Sequence, residues 1–212
     1  VPKIVPIVEG DGEVDAVPIL LRKLLDEMGR WEVQVARPKN AHGCGNLTKP
    51  GGVEKFVQLA WAEADCAAVL ILMDAEKNCA KELATSFSRR VQAMGAYRPV
   101  VTVIAKCEYE VWFLASLETI AGTDLQGRPG LPASLQCPND IEAIVGVKQW
   151  LSRQFPAERA YKETLDQAPM THLLDIVLAR ERSRSFRRLW HAIEQALVAI
   201  DKSQVVVTPA GN

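Results

Sequence analysis

The chain has 212 residues, of which 48% are hydrophobic and 24% charged, with a formal net charge of -1. This fits one soluble globular domain with a sizeable core. It excludes a chain drawn as a whole to nucleic acid or to a membrane, so any such surface must come from local charge segregation.

Residues 4–8 are short, apolar and β-branched, as a buried strand requires. The run ends in Glu9-Gly10-Asp11-Gly12-Glu13. An amphipathic helix is expected over residues 14–28, with Val17, Leu20, Leu21, Leu24, Leu25 and Met28 on one face and Pro18 in the first turn. Residues 31–36 alternate as a second strand, and residues 37–52 form a long polar, glycine-rich loop. A helix over 53–63, a strand over 68–73 ending at Asp74, a helix over 81–94, a strand over 100–104 and a helix over 109–117 follow. Alternation of helices with near-continuous apolar strands predicts an α/β fold, Rossmann-like, with a mainly parallel sheet covered on both faces.

Residues 1–118 are expected to form this domain. Residues 119–212 are expected to supply a linker or lid and a helical region packed on it. The glycines and prolines of 118–139 mark the linker, and helices are predicted over 140–154, 170–180 and 186–200. The tail from 203 reads either as an edge strand through Val205, Val206 and Val207 or as disordered.

No run reaches the roughly 18 apolar residues of a membrane span. The stretch before Glu9 is too short for a signal-peptide core. Five cysteines without a C-x-x-C pair argue against a disulfide framework and against structural zinc. A cytoplasmic protein without membrane association is expected.

In open α/β sheets ligands bind beyond the carboxyl ends of the strands. Glu9 and Asp74 are predicted there, with Glu76 two residues after Asp74 and Glu13 one helical turn after Glu9. So many carboxylates in one volume raise one another's pKa unless a cation joins them, and hard cations such as Mg²⁺ or Mn²⁺ take oxygen ligands. Capping explains any one of these residues alone, since an acidic residue stabilises a helix N-terminus. Glu108 and Glu110 follow the 100–104 strand; two apart, only one faces the site, and Glu110 is the better placed. Lys106 stands nearby, either as a phosphate contact or as a solvated loop lysine.

These motifs resemble the Toprim domain, the metal-binding fold of topoisomerases, bacterial primases and overcoming-lysogenization-defect nucleases. Glu9 matches the glutamate after its first strand, and Asp74-Ala75-Glu76 matches its Asp-x-Asp, with Glu in place of the second Asp. Glu9-Gly10-x-x-Glu13 is similar to the Glu-Gly-x-x-Glu of the nuclease branch. Residues 108–115, Tyr161-Lys162 and Ser185-Phe186-Arg187 are similar to elements of an uncharacterised bacterial Toprim-like family, over about residues 4 to 200. The resemblance implies a Mg²⁺- or Mn²⁺-dependent nuclease. Glu9, Glu13, Asp74 and Glu76 would be metal ligands, and Glu9, Glu13, Glu110 and Lys106 would be catalytic. It also implies a role in anti-phage defence beside an ATPase partner.

Arg182, Arg184, Arg187 and Arg188 form a segregated basic cluster that either tracks a nucleic-acid backbone or is a solvated helix face. The alternative to an enzyme is a non-catalytic Toprim-like module that senses nucleic acid or docks on a partner. A phosphoacceptor pocket centred on Asp74 is a third reading. Gly10-Asp11-Gly12 is neither a dinucleotide fingerprint nor a Walker A loop, Asp11 matches nothing in the family pattern, and His42, His172 and His191 share no metal-ligand spacing.

Overall fold

The structure is a computed structural model and describes residues 1–76, 78–156 and 159–209. Strands β1 (Lys3–Val8), β2 (Gln34–Val35), β3 (Lys39–Asn40), β4 (Cys66–Asp74), β5 (Val100–Ala105) and β6 (Val207–Thr208) form one parallel sheet. Its order is β2-β1-β4-β5-β6, and β3 extends the β2 position along the same edge of β1. The sheet is therefore five strands wide. Pro38, which has no N–H to donate, lies between β2 and β3 where the edge strand is interrupted.

Alternation along the central strands sorts their side chains to two faces. Ile4, Val8, Leu70, Leu72, Val101 and Val103 meet one set of helices, and Val5, Ile7, Val69, Ile71, Met73, Val100 and Ile104 meet the other. The first face carries α1 (Asp11–Glu27) and elements from beyond residue 110. The second carries α2 (Cys44–Thr48), α3 (Gly52–Trp61) and α4 (Ala80–Ala93). Burial on both sides explains why β4 reads as unbroken apolar sequence.

After β5 come α5 (Val111–Leu114) and α6 (Leu117–Ile120), a 3₁₀ turn at Ile141–Ala143 and α7 (Val147–Gln154). A π turn at Glu163–Gln167 runs into α8 (Ala168–Leu173), followed by α9 (Ile176–Arg182) and α10 (Arg184–Asp201). The helix expected over 109–117 is split, and only 147–154 of 140–154 is α-helical. The helix expected over 170–180 breaks where Asp175 turns its carboxylate onto the N–H groups of Val177 and Leu178 and starts α9 as an N-cap. The strand expected over 31–36 shrinks to two residues. The 37–52 loop is structured: it holds β3 and α2. Arg90 of α4 clamps it, donating to Glu54 and to the carbonyls of Thr48 and Lys49.

The helices beyond residue 119 share one core with the sheet. Trp112 donates its indole N–H to Ser185 Oγ at 3.0 Å and meets the Phe186 ring edge-on at 5.4 Å. Among the described residues no helix is long and apolar enough to cross a membrane.

Candidate metal-binding site

β1 and β4 are neighbours, with Ile7 level with Ile71, and β4 is level with β5 to the pair Asp74 and Ala105. Their carboxyl ends therefore bring Glu9, Asp74 and the segment after Ala105 to one edge. The turn beyond β4 is fastened to the turn beyond β5: Ala75 N–H donates to Ala105 O and Glu76 N–H to Cys107 O, both at 2.9 Å. Glu76 and Cys107 both have left-handed backbone, at φ 47° and 62°. Such a conformation costs a non-glycine residue about 1 kcal/mol or more and concentrates at functional sites. The 37–52 segment closes the third side. Gly43 N–H donates to Glu9 O at 2.8 Å, and Cys44 starts α2 beside it.

The carboxylates divide into two sets. In the outer set, one ligand atom each from Glu9, Glu76 and Cys44 lie within 4.8 Å of one another. Glu9 is partly buried, and its Oε2 is fully buried with no hydrogen-bond partner among the described residues. Burial pushes the Glu9 carboxyl up and Glu76 adds to this, against the main chain of Asp74 and Cys44. The donor set fits a hard divalent cation, because the two carboxylates offer oxygen. Burial, Glu9 and Glu76 all push the Cys44 thiol up, which keeps it protonated and a poor ligand.

The inner set lies deeper. Asp74 is 6% exposed and Glu110 is 0% exposed. Asp74 accepts the Tyr109 N–H at 2.8 Å, and Glu110 Oε1 accepts the Tyr161 hydroxyl at 2.8 Å and the Gln167 amide at 3.3 Å. The Lys148 ammonium stands 3.7 Å from Asp74, 4.0 Å from Glu110 and 2.7 Å from Glu163. Burial pushes Asp74 well up, with Glu110 and Glu13 adding to it. Burial pushes Glu110 up to about 7, against the pull of Lys148 and Tyr161. Burial works against the Lys148 ammonium, but Glu110, Asp74 and Glu163 outweigh it and raise its pKa.

Of the expected residues, Glu9, Asp74 and Glu76 come together at the strand ends, and Glu110 lies beneath them. Glu13 acts locally. Its Oε2 accepts the Gly10 N–H at 2.5 Å, closing the first turn of α1 as an N3 glutamate does in a capping box. It is buried, and burial with the Glu9 charge raises it to about 7 against that hydrogen bond. Glu108 caps α7 by accepting the Lys148 N–H at 3.0 Å, so Glu110 alone of that pair enters the cluster. Lys106 is exposed, and among the described residues Lys148 is the cation inside the site. Asp11 lies at the rim, accepting from Asn40 at 2.6 Å, with His42 at 3.6 Å. The basic cluster is partly divided: Arg182 pairs with Glu118 at 2.6 Å and shares one cleft with Arg184 and Arg187, while Arg184, Arg187 and Arg188 line a second cleft that Arg182 does not reach.

Lys148, Glu163 and Gln167 were missing from the expected site. Glu163 and Gln167 reach it because Gly12 lacks a side chain. A Cβ there would collide with Gln167 Oε1 and stand 2.9 Å from Glu163 Cβ. The second glycine of Glu-Gly-x-Gly is the one local signal that another segment packs against this turn.

The fold and this cluster define a parallel α/β protein with an acidic site at the carboxyl edge of its sheet. Residues 8–194 match the family model described as Domain of unknown function (DUF4276), and the chain belongs to that family. No curated protein and no solved structure matches it.

Proposed function

We propose that this protein is a divalent-metal-dependent phosphodiester hydrolase, a nuclease of the Toprim type. The observation that carries this reading is the outer set: Glu9 and Glu76, from adjacent strand ends, share one small volume with a buried Glu9 oxygen that has no hydrogen-bond partner among the described residues. Glu9 and Glu76 would hold Mg²⁺ or Mn²⁺, with Asp74 beside them. When bound, such an ion polarises a phosphoryl oxygen and generates a nucleophile from water at neutral pH.

The remaining chemistry belongs to the chain. Glu110, held by Tyr161 and Gln167 and with a pKa near 7, is poised to exchange a proton at neutral pH. Lys148 balances the inner carboxylates and offers positive charge where a phosphoryl group gains negative charge. Glu13 holds the Glu9-Gly10 turn in register. Arg184, Arg187 and Arg188 contact the nucleic-acid backbone. An ATPase partner, a role in anti-phage defence and a cytoplasmic location complete the proposal; the first two rest on the Toprim resemblance alone, and five free cysteines support the third.

One observation favours the alternative of a non-catalytic nucleic-acid-sensing or partner-docking module: Lys148 already places a positive charge among the inner carboxylates, where a second metal would otherwise sit. Calorimetric titration with Mn²⁺, followed by a cleavage screen on single-stranded and duplex DNA and RNA, separates the two. Metal binding with cleavage supports the hydrolase, metal binding without cleavage on any substrate supports the module, and no binding at millimolar Mn²⁺ sinks the metal site.

A further inference from the structure

A cleft of about 840 Å³ lies along the far edge of the sheet, outside the carboxylate site. Its floor is Thr102, Val103 and Ile104 of β5, laid open because β6 pairs only with Val100 and Val101. Its walls are α4 on one face of the sheet and α10 on the other. Five cations line it: Lys81 and Arg89 from α4, and Arg184, Arg187 and Arg188 from α10. Among the described residues none of the five, all exposed, forms an ion pair, and no acidic side chain and no Trp, Tyr or Phe lines the cleft, where the one ring is the His191 imidazole. Arg187 is braced, donating to the carbonyls of Arg180 and Glu181 at the end of α9.

We propose that this cleft is the track for the sugar–phosphate backbone of a duplex nucleic acid, with Lys81 and Arg89 acting beside the three arginines of α10. The proposal rests on the nucleic-acid reading above and names the substrate class within it. Five unpaired cations on two walls, in a chain of net charge -1, form a concentrated field for a polyanion. Lys81 and Arg89 are eight residues apart on one helix, about 12 Å, so the contacts extend along a strand and do not converge on one point. Proteins that hold single strands provide aromatic platforms for the bases. Among the described residues this cleft offers no Trp, Tyr or Phe and a single imidazole, His191, too little to stack successive bases, and a duplex, whose bases stack on one another, needs no such platform. The direction is also suitable. Ile104 and Ala80 form one end of the cleft, and Ile104 is level with Met73, one residue before Asp74, so the track runs toward the edge that carries the carboxylates.

The test is fluorescence anisotropy in EDTA, with a short DNA duplex, the RNA duplex of the same sequence, the single DNA strand and tripolyphosphate as probes. At least one duplex is expected to bind at low salt, at least tenfold tighter than the single strand. The slope of log K against log salt should be about -4.5 if all five cations engage. The pairs Lys81→Ala/Arg89→Ala and Arg184→Ala/Arg188→Ala should each weaken binding at least tenfold and reduce the slope by about 2. Arg182→Ala, which lies outside the cleft and pairs with Glu118, should leave binding unchanged. All variants should keep the Mn²⁺ titration and the melting temperature of the parent.

The proposal is overturned if neither duplex binds, if the single strand binds as tightly as the duplexes, or if tripolyphosphate saturates the cleft without displacing a bound duplex. It is also overturned if either folded double variant binds like the parent. Because these measurements need no metal, failure of the parent protein to bind millimolar Mn²⁺ with duplex binding intact would count against the hydrolase and leave the track standing.

Discussion

Lys148→Met tests whether charge neutralisation holds the inner site together. The substitution keeps an unbranched side chain of similar length and removes the ammonium that stands within 4.0 Å of Asp74, Glu110 and Glu163. Breaking a buried ion cluster by removing one partner costs roughly 3–5 kcal/mol. The Lys148 side chain is 29% exposed, and water screens part of that loss, so about 2 kcal/mol is expected near pH 8.

The pH dependence fixes the sign. Glu110 and Glu13 are raised from 4.5 to about 7 in the folded protein. A carboxyl with a raised folded pKa contributes stability that is complete below its unfolded value and is lost as pH rises through its folded value. The metal-free parent should therefore lose about 2 kcal/mol for each such group between about pH 5.5 and pH 8. In Lys148→Met the ionised carboxylates lose their counter-ion as well, so the deficit against the parent should be small near pH 5.5 and full near pH 8. Urea unfolding at the two pH values measures it. An equal deficit at both would mean that Lys148 acts through packing, and the electrostatic account would be wrong.

Three further outcomes follow from the same geometry. Glu9→Gln and Asp74→Asn should each weaken Mn²⁺ binding at least tenfold by calorimetry without lowering the metal-free melting temperature; unchanged affinity would remove that residue from the site. Gly12→Ala must push the π turn away from α1, at about 1–3 kcal/mol and a melting temperature lower by roughly 5 °C, whereas alanine at exposed Gly45, with open space around it, should change the melting temperature by under about 2 °C. Tyr161→Phe removes the hydroxyl donated to Glu110 and should cost about 1–3 kcal/mol, with the carboxyl titrating at higher pH by NMR; no movement of that titration would show that the hydrogen bond is not made in solution.

The layout of the sheet was legible because strand burial writes itself into local sequence. Residues 4–8, 68–73 and 100–104 are continuous apolar runs because both of their faces are covered, and each appears as a strand within one or two residues of its expected ends. The helices that later became α1, α4 and α10 were legible from their apolar stripes. Glu9, Asp74 and Glu76 could be placed at one edge because strand ends in a parallel sheet share a direction.

Short or interrupted elements were not legible. β2 and β3 form a single edge position broken at Pro38, and the break at Asp175 depends on one side chain turning back on its own backbone.

What only the tertiary structure decided is how the acidic charge is balanced. Nothing local distinguishes Lys148 from the other lysines, or Glu163 from the other glutamates of the chain. They meet Asp74 and Glu110 through packing of α7 and the π turn, over separations of more than thirty residues. The sequence by itself determined that carboxylates gather at the carboxyl edge of a parallel sheet, because hydrophobic periodicity sets strand direction and strand direction sets where each strand ends. Which carboxylates stay open to a cation, and which are buried around an ammonium, was decided by long-range packing, because desolvation and ion pairing depend on neighbours that the local sequence does not specify.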